Sequence, residues 1–347
     1  MRIQHLEYFR AISILFIVAG HSFHPWPIDT IPEKILANVV SGGSALFVFL
    51  SGFFFHHVFY PDFHYRNFLI KKIKNVLLPY IVLTVVAFVL FVVYLDVPRR
   101  FLAQDFVTVS DGFELLFQYL ITGRILTAYW YVPFIMLVFA LSPIFVLYIN
   151  LSKQKQICIF SVLLLLSMVV HRPSYGLSPT HSVVYFLPIY LLGITSSVNY
   201  KYILQFIHNK CLFFGSLTIA LSVIQVVFYG TYGDFSKGTM LSYNGLDVVI
   251  LQKICMIFFM LSVLQKIDSK EIAVLSYIAS ISFSIYFIHP FILHLLSYFL
   301  VEEYVRTFIP GGVVCFVKIL FVISVSILFS FLFKAILGNK SRYIVGS

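Results

Sequence analysis

Residues 76–95 read VLLPYIVLTVVAFVLFVVYL, twenty consecutive positions without a charged side chain. An α-helix rises about 1.5 Å per residue, so a run of ~20 residues covers the hydrocarbon core of a bilayer. Apolar residues fall on every face of this run instead of alternating, as a lipid-exposed helix requires and a barrel strand does not. Comparable runs, punctuated by Pro, Gly and charge, lie at roughly 9–24, 41–60, 130–149, 156–171, 182–198, 212–229, 247–265, 280–300 and 313–337. The chain therefore reads as an all-α, polytopic integral membrane helical bundle of about ten transmembrane helices. With no internal repeat and no low-complexity linker, residues 1–347 read as a single domain.

Composition agrees. Hydrophobic residues make up 60% of the 347 and charged ones 11%, with a mean hydropathy of +0.96. So little polar surface cannot cover a water-facing globule, which excludes a soluble enzyme, a disordered chain, a coiled coil and a disulfide scaffold. The net charge of +10 would suggest nucleic acid in a soluble protein; in a bilayer it reflects loops retained on the cytoplasmic side, so no nucleic-acid partner is expected. Cys158, Cys211, Cys255 and Cys315 stand singly in or beside apolar stretches, without metal-ligand or redox spacing, and read as packing residues with no metal site.

Basic residues orient the spans. With the N-terminus inside, the inner segments hold 15 Lys and Arg and the outer ones seven, namely Lys34, Arg99, Arg100, Arg124, Arg172, Lys237 and Arg306. Both termini are thus expected in the cytoplasm. Lys253 and Lys318 complete the 24 inside spans, close enough to the outer ends to snorkel. A secretory leader is not expected, because Glu7 sits where a leader is basic and the apolar run continues past Val18-Ala19-Gly20 through a histidine. In the longest outer loop, 96–129, Phe113, Leu115, Leu116, Tyr119 and Leu120 form an apolar stripe at helical spacing. That stretch is too short to span, so it reads as an interfacial or re-entrant helix, either capping an outer cavity or lying on the membrane.

The first span carries the most informative chemistry. Arg10 and His21 are eleven residues apart, about three helical turns, which puts them near one face at a separation of roughly 16 Å. Arg10 has the planar fork that holds phosphate, and Glu7, one turn earlier, is spaced to orient it. His24 follows His21 by one turn. Standing alone, Arg10 would read as a snorkelling anchor and His21 as an interface residue.

They do not stand alone. Leu6-Glu7-Tyr8-Phe9-Arg10, ten residues, then His21-Ser22 resembles the opening of the acyltransferase-3 family of membrane-bound acyltransferases, whose hallmark is Arg-x10-His. Phe47-Val48-Phe49-Leu50-Ser51-Gly52-Phe53 is similar to the family's second-span motif, and Phe68 to Asn75 with Pro79-Tyr80 to its basic third-span entry. Trp130-Tyr131-Val132-Pro133 and Ser284-Ile285-Tyr286-Phe287-Ile288-His289-Pro290 resemble two later signatures. Two positions depart from the pattern: Glu7 stands where the family usually has Asp, and Lys72, Lys74 and Asn75 where it often has arginines.

The resemblance implies an acyl-CoA-dependent O-acyltransferase of the bacterial inner membrane. It would move an acyl group, most often acetyl from acetyl-CoA, onto a sugar hydroxyl of a cell-surface polysaccharide such as O-antigen, capsule or exopolysaccharide, or onto its lipid-linked precursor. A hydroxyl attacking a thioester needs a base, and an imidazole with an unperturbed pKa of about 6.5 suits that task, which points to His21, with Arg10 and Glu7 further along the same helix as the other members of the catalytic set. CoA is polyanionic and cytoplasmic, so Arg10, Arg66, Lys71, Lys72 and Lys74 are the residues expected to hold its phosphates, although positive-inside topology alone would produce the same basic segment.

Three further groups are candidates for substrate or structural roles. Ser51-Gly52 reads as a small pair allowing close helix approach in preference to a nucleophile. Trp130 and Tyr131 open the fourth span, where an aromatic belt is usual and a sugar-stacking platform is the sharper reading. His289 lies well inside the ninth span, where an ionisable group marks function. The competing readings are a polytopic glycan or lipid transporter without chemistry, and a structural subunit for partner enzymes.

Overall fold

The computed structural model describes residues 3–23, 28, 30–95, 112–174, 178–299 and 310–346. His24, Arg2, Arg99, Arg100 and Arg306 lie outside the described residues. Among the described residues the regular structure is helical apart from one two-residue parallel bridge.

Helix α1 (Gln4–Ser22) is followed by α2 (Ile31–Val40) and α3 (Gly43–Phe54). Residues 31–62 make one long helical run that ends in a π turn over 55–59 and a 3-10 turn. Thr30 caps α2 through a reciprocal bond with Glu33, with Pro32 in the first turn; this T-x-x-E box, followed by an apolar run, is a start signal visible in the sequence. The third span begins at α4 (Tyr65–Lys72) and continues through a π turn at 73–77 into α5 (Leu78–Ala87) and a second π stretch to Tyr94. Lys71, Lys72 and Lys74 therefore belong to the helix itself and not to a loop before it.

Helix α6 (Gly112–Thr122) fulfils the expected helix of the long outer loop. It buries Leu115 and Tyr119 and is pinned where the Tyr80 hydroxyl donates to the carbonyls of Tyr119 (3.1 Å) and Leu120 (2.8 Å). The fourth span is bent by 56° between α7 (Tyr131–Ala140) and α8 (Ser142–Ile149). Pro143, which lacks an N–H and clashes with the preceding turn, lies at the break. Next come α9 (Lys153–Val170), β1 (Arg172–Pro173), α10 (Pro179–Val198), α11 (Tyr200–Ile207), α12 (Cys211–Tyr229), β2 (Ser236–Lys237) and α13 (Val249–Gln265). The chain ends with α14 (Ala273–Ser280), α15 (Ser282–Phe299), α16 (Gly311–Leu337) and α17 (Ser341–Ile344).

Over the described residues, each of the ten apolar runs lies mainly on helix. Among the described residues seven helices are long and apolar enough to cross a membrane, eight with the bent pair counted as one span. The other two are α13, which has 17 residues, and α1, made more polar by His5, Glu7, Arg10 and His21. The protein is an all-α, multi-pass membrane bundle.

The core gathers where α1, α3, α7, α10 and α15 meet, with Phe9, Phe49, Phe53, Phe134, Tyr190 and Phe287 almost wholly enclosed. Helices α9, α12 and α16 instead leave residues such as Leu165, Phe228 and Phe316 exposed, as lipid-facing helices must. The closest approach is between α3 and α10. A Cβ at Gly52 would lie 2.9 Å from the Tyr190 carbonyl carbon, and one at Gly193 would lie 2.7 Å from the Phe53 nitrogen. Only glycine permits backbones to touch in this way.

Contacts sort the connections into two ends. At one, the Tyr8 hydroxyl donates to the Lys270 carbonyl (2.6 Å), His5 pairs with Asp268 (2.9 Å) and accepts or donates a bond with the Tyr200 hydroxyl (2.9 Å), and Lys153 lies over the Tyr202 ring. Tyr60 bonds to Asn150 at the same end, and α17 packs against α5 and the 73–77 turn. At the other, the end of α1, α2, residues 123–130 and the segments 171–174 and 230–248 converge. Lys153 and Arg172 thus lie at opposite ends, as the ten-span reading requires.

Candidate functional site

His21 is the penultimate residue of α1, and three elements bring partners to it. The first is the segment 123–130. Gly123 has φ +69°, and a Cβ there would collide with the backbone of Tyr129 and Trp130, so the chain can double back only with glycine. The Tyr286 hydroxyl donates to the Ala128 carbonyl (2.7 Å) and the Tyr129 hydroxyl to the Phe287 carbonyl (2.9 Å), which bolts this segment to α15. Thr127 Oγ1 is thereby held 3.1 Å from His21 Nδ1.

The second element is α15. His289 is fully buried and stacks on His21, with ring centroids 5.7 Å apart and planes 28° from parallel. Its Nδ1 lies 2.9 Å from the Ile285 carbonyl, a geometry that makes Nδ1 the donor and leaves Nε2 with its lone pair. That Nε2 is buried and has no hydrogen-bond partner among the described residues. Pro290, with no N–H, frees the Tyr286 carbonyl beside it.

The third element is the β1–β2 bridge. β1 pairs with β2 in parallel, Arg172 opposite Ser236 and Pro173 opposite Lys237. The loop from 230 to 248 is tied down by Lys237 Nζ on the Val169 carbonyl (2.7 Å), Asp247 N on the Met168 carbonyl (2.7 Å) and His171 Nε2 at the Gly245 carbonyl (3.0 Å). Asp234 from this loop forms an ion pair with Arg172, whose guanidinium lies 4.7 Å from the centre of the Trp130 ring.

Between these elements is a cavity of about 70 Å³ lined by Phe16, Gly20, His21, the turn 41–44, Trp130, Tyr131, Arg172, Asp234, Phe283 and Tyr286. A second, of about 260 Å³, shares His21, Trp130, Arg172 and Asp234 and adds Arg124, Thr127 and Ser236. Together they make one chamber at the C-terminal end of α1.

Of the residues singled out in the sequence, His21, Trp130 and Tyr131 line this chamber, and His289 packs directly behind His21. Ser51 touches the Tyr131 hydroxyl at 3.4 Å but does not line it. Glu7 and Arg10 are half-buried one turn apart near the other end of α1, Arg10 about 16 Å down the helix from His21 and Glu7 one turn further. Arg66, Lys71 and Lys74 are exposed at that same end, whereas Lys72 is enclosed by the rings of Phe59 (4.3 Å), Phe139 (4.4 Å) and Phe68 (5.2 Å). The cluster is therefore not uniform: aromatic faces occupy one lysine and leave the others free to meet an anion.

Two readings are corrected. Trp130 and Tyr131 do not form an interface belt, since both are buried and Trp130 stacks on Phe134 and Phe186 with Arg172 on its indole. Lys253 does not snorkel. It is 2% exposed and donates to the carbonyls of Asn38 (2.7 Å) and Val39 (3.4 Å), because α2 closes over the end of α13. Thr127, Arg172 and Asp234 were not singled out from the sequence. Arg172 was visible only as one of the outer charges, and nothing local marks Asp234 as its partner.

A family model described as an acyltransferase domain matches residues 3–335. The chain belongs to the acyltransferase-3 family. Neither the curated proteins nor the solved structures gave a match. As an acyltransferase-3 member it is a membrane acyltransferase, which sets aside the readings as a transporter without chemistry and as a structural subunit.

Proposed function

We propose that this protein transfers an acyl group, most simply acetyl from acetyl-CoA, to a sugar hydroxyl of a cell-surface polysaccharide or its lipid-linked precursor, in the bacterial inner membrane. The observation that carries the reading is the placement of His21 in a chamber at one end of the bundle, with Arg10 on the same helix near a cluster of exposed cations at the other. With the 15-to-7 division of Lys and Arg, the cationic end is the cytoplasmic one, where acyl-CoA is available.

Arg66, Lys71 and Lys74 suit the polyanionic head of CoA, and Arg10 suits a phosphate nearer the bundle axis. The extended arm of CoA can bridge the ~16 Å from Arg10 to His21. The acceptor hydroxyl gives its proton to His21 as its oxygen bonds to the thioester carbonyl carbon. The C–S bond breaks, and the proton returns from the imidazolium to the leaving sulfur, releasing CoA as the thiol. Thr127 at Nδ1 directs the other nitrogen, Nε2, toward this task, and His289 packs against the ring to hold its plane.

The test uses the purified protein in nanodiscs with acetyl-CoA and surface polysaccharide stripped of its esters. Thiol release that depends on the polysaccharide, together with new acetyl esters on it, is expected. Absence of both would leave only the general acyltransferase assignment.

A further inference from the structure

One wall of the chamber holds a charge pair that the acyl-transfer step does not use. Arg172 and Asp234 line both cavities beside His21. Their placement is built, not incidental: the β1–β2 bridge fixes Arg172, Trp130 supports its guanidinium, and the Gly233 amide next to Asp234 is bonded to the buried Asn38 side chain.

The chemistry of this wall is selective. Asp234 is the one carboxylate among the described residues lining the two cavities, and it is the more open member of the pair, with 37% of its side chain exposed against 12% for Arg172. An open carboxylate accepts hydrogen bonds from hydroxyls and repels another carboxylate or a phosphate. A guanidinium already paired with it still offers N–H donors but little net charge. Because Arg172 covers the Trp130 indole, a sugar ring cannot stack there and must be read through hydrogen bonds.

Resting on the acyl-transfer reading above, we infer that the Arg172–Asp234 pair is the acceptor site, and that it takes a neutral pyranose by two hydroxyls flanking the one presented to His21. Asp234 accepts from one hydroxyl and Arg172 donates to another. Arg124 also lines the second cavity, so an anionic sugar is the competing outcome.

The experiment uses the full chain in nanodiscs with acetyl-CoA and a panel of methyl glycosides: glucoside, galactoside and rhamnoside, against glucuronoside and galacturonoside. Acetylated glycoside is read by mass spectrometry and free CoA by a thiol reagent. At least one neutral glycoside should show kcat/KM ten times or more that of the matched uronate. Asp234→Asn should raise KM for that glycoside about ten- to a hundredfold, the loss of one charge-assisted hydrogen bond. KM for acetyl-CoA should move less than twofold, a split that general misfolding would not give. Arg172→Lys, which keeps the charge and loses the fork, should raise the same acceptor KM. Preference for a uronate, thioester cleavage without transfer to any neutral glycoside, or an unchanged acceptor KM in both variants overturns the inference while leaving acyl transfer standing. No thioester cleavage at all removes the acyl-transfer reading and this inference with it.

Discussion

Replacing Gly52 by Ala, set against Ser51→Ala, separates packing from chemistry in the second-span motif. A Cβ at Gly52 would sit 2.9 Å from the Tyr190 carbonyl carbon and closer still to its oxygen, where ordinary contact begins at 3.4 Å. α3 and α10 must therefore part by at least 0.5 Å, and no flexible side chain is present to absorb the strain. Overpacking typically costs about 1–3 kcal/mol, and contact with backbone puts this site at the upper end. Converted at the few degrees per kcal/mol usual for larger domains, the melting temperature in detergent should fall by roughly 5–10 °C. Ser51 makes only a 3.4 Å contact with the Tyr131 hydroxyl, at the long limit for a hydrogen bond, so its alanine variant should lose about 0.5 kcal/mol and keep acyl transfer. Differential scanning fluorimetry on both proteins, with thiol release measured in parallel, makes the comparison. Equal melting temperatures for the two variants would refute the packing argument, and loss of transfer in Ser51→Ala would refute the structural role of that serine.

Four other outcomes follow from the cationic end and the bundle's two faces. Arg10→Lys should keep the charge but lose the fork, raising KM for acetyl-CoA several-fold with a smaller change in kcat, as steady-state kinetics would show. Joint neutralisation of Arg66, Lys71 and Lys74 should also raise that KM, and the effect should shrink at high salt because exposed charges are screened beyond about 8–10 Å. Lys72→Met, in contrast, should lower the melting temperature with little effect on KM, because its ammonium is already held by three aromatic rings. In a cysteine-free background, single cysteines at His208 and Lys270 should label only from the cytoplasmic face and at Ser236 and Thr239 only from the outer one. Labelling of all four from one side would refute the span count.

The sequence made the spans legible because a bilayer imposes one length and one composition on each of them. The Arg10–His21 face was legible for the same reason that any helical face is, a fixed angle per residue. What stayed hidden depends on contacts between distant segments. Arg172 and Asp234 meet only through a two-residue strand pairing across three intervening helices, too short to leave a pattern. Lys253 looked like a snorkelling residue because its depth along α13 was readable while α2, folded over it from Thr30 onward, was not read as a helix. The π stretches at 55–59, 73–77 and 88–94 widen the second and third spans without a Pro or Gly to mark them, so no helix-breaking residue announced them.

The central claim is that His21 supplies the base. The most direct measurement compares His21→Ala with the parent chain at matched membrane levels, reading acetyl esters on purified surface polysaccharide and acetyl-CoA binding to the same membranes. General-base catalysis contributes typically 10²- to 10⁴-fold, so acetylation should fall at least a hundredfold while acetyl-CoA binding, governed from the Arg10 end, is retained. Near-parental acetylation by His21→Ala would contradict the account and shift the base to His289, the other imidazole of the stack.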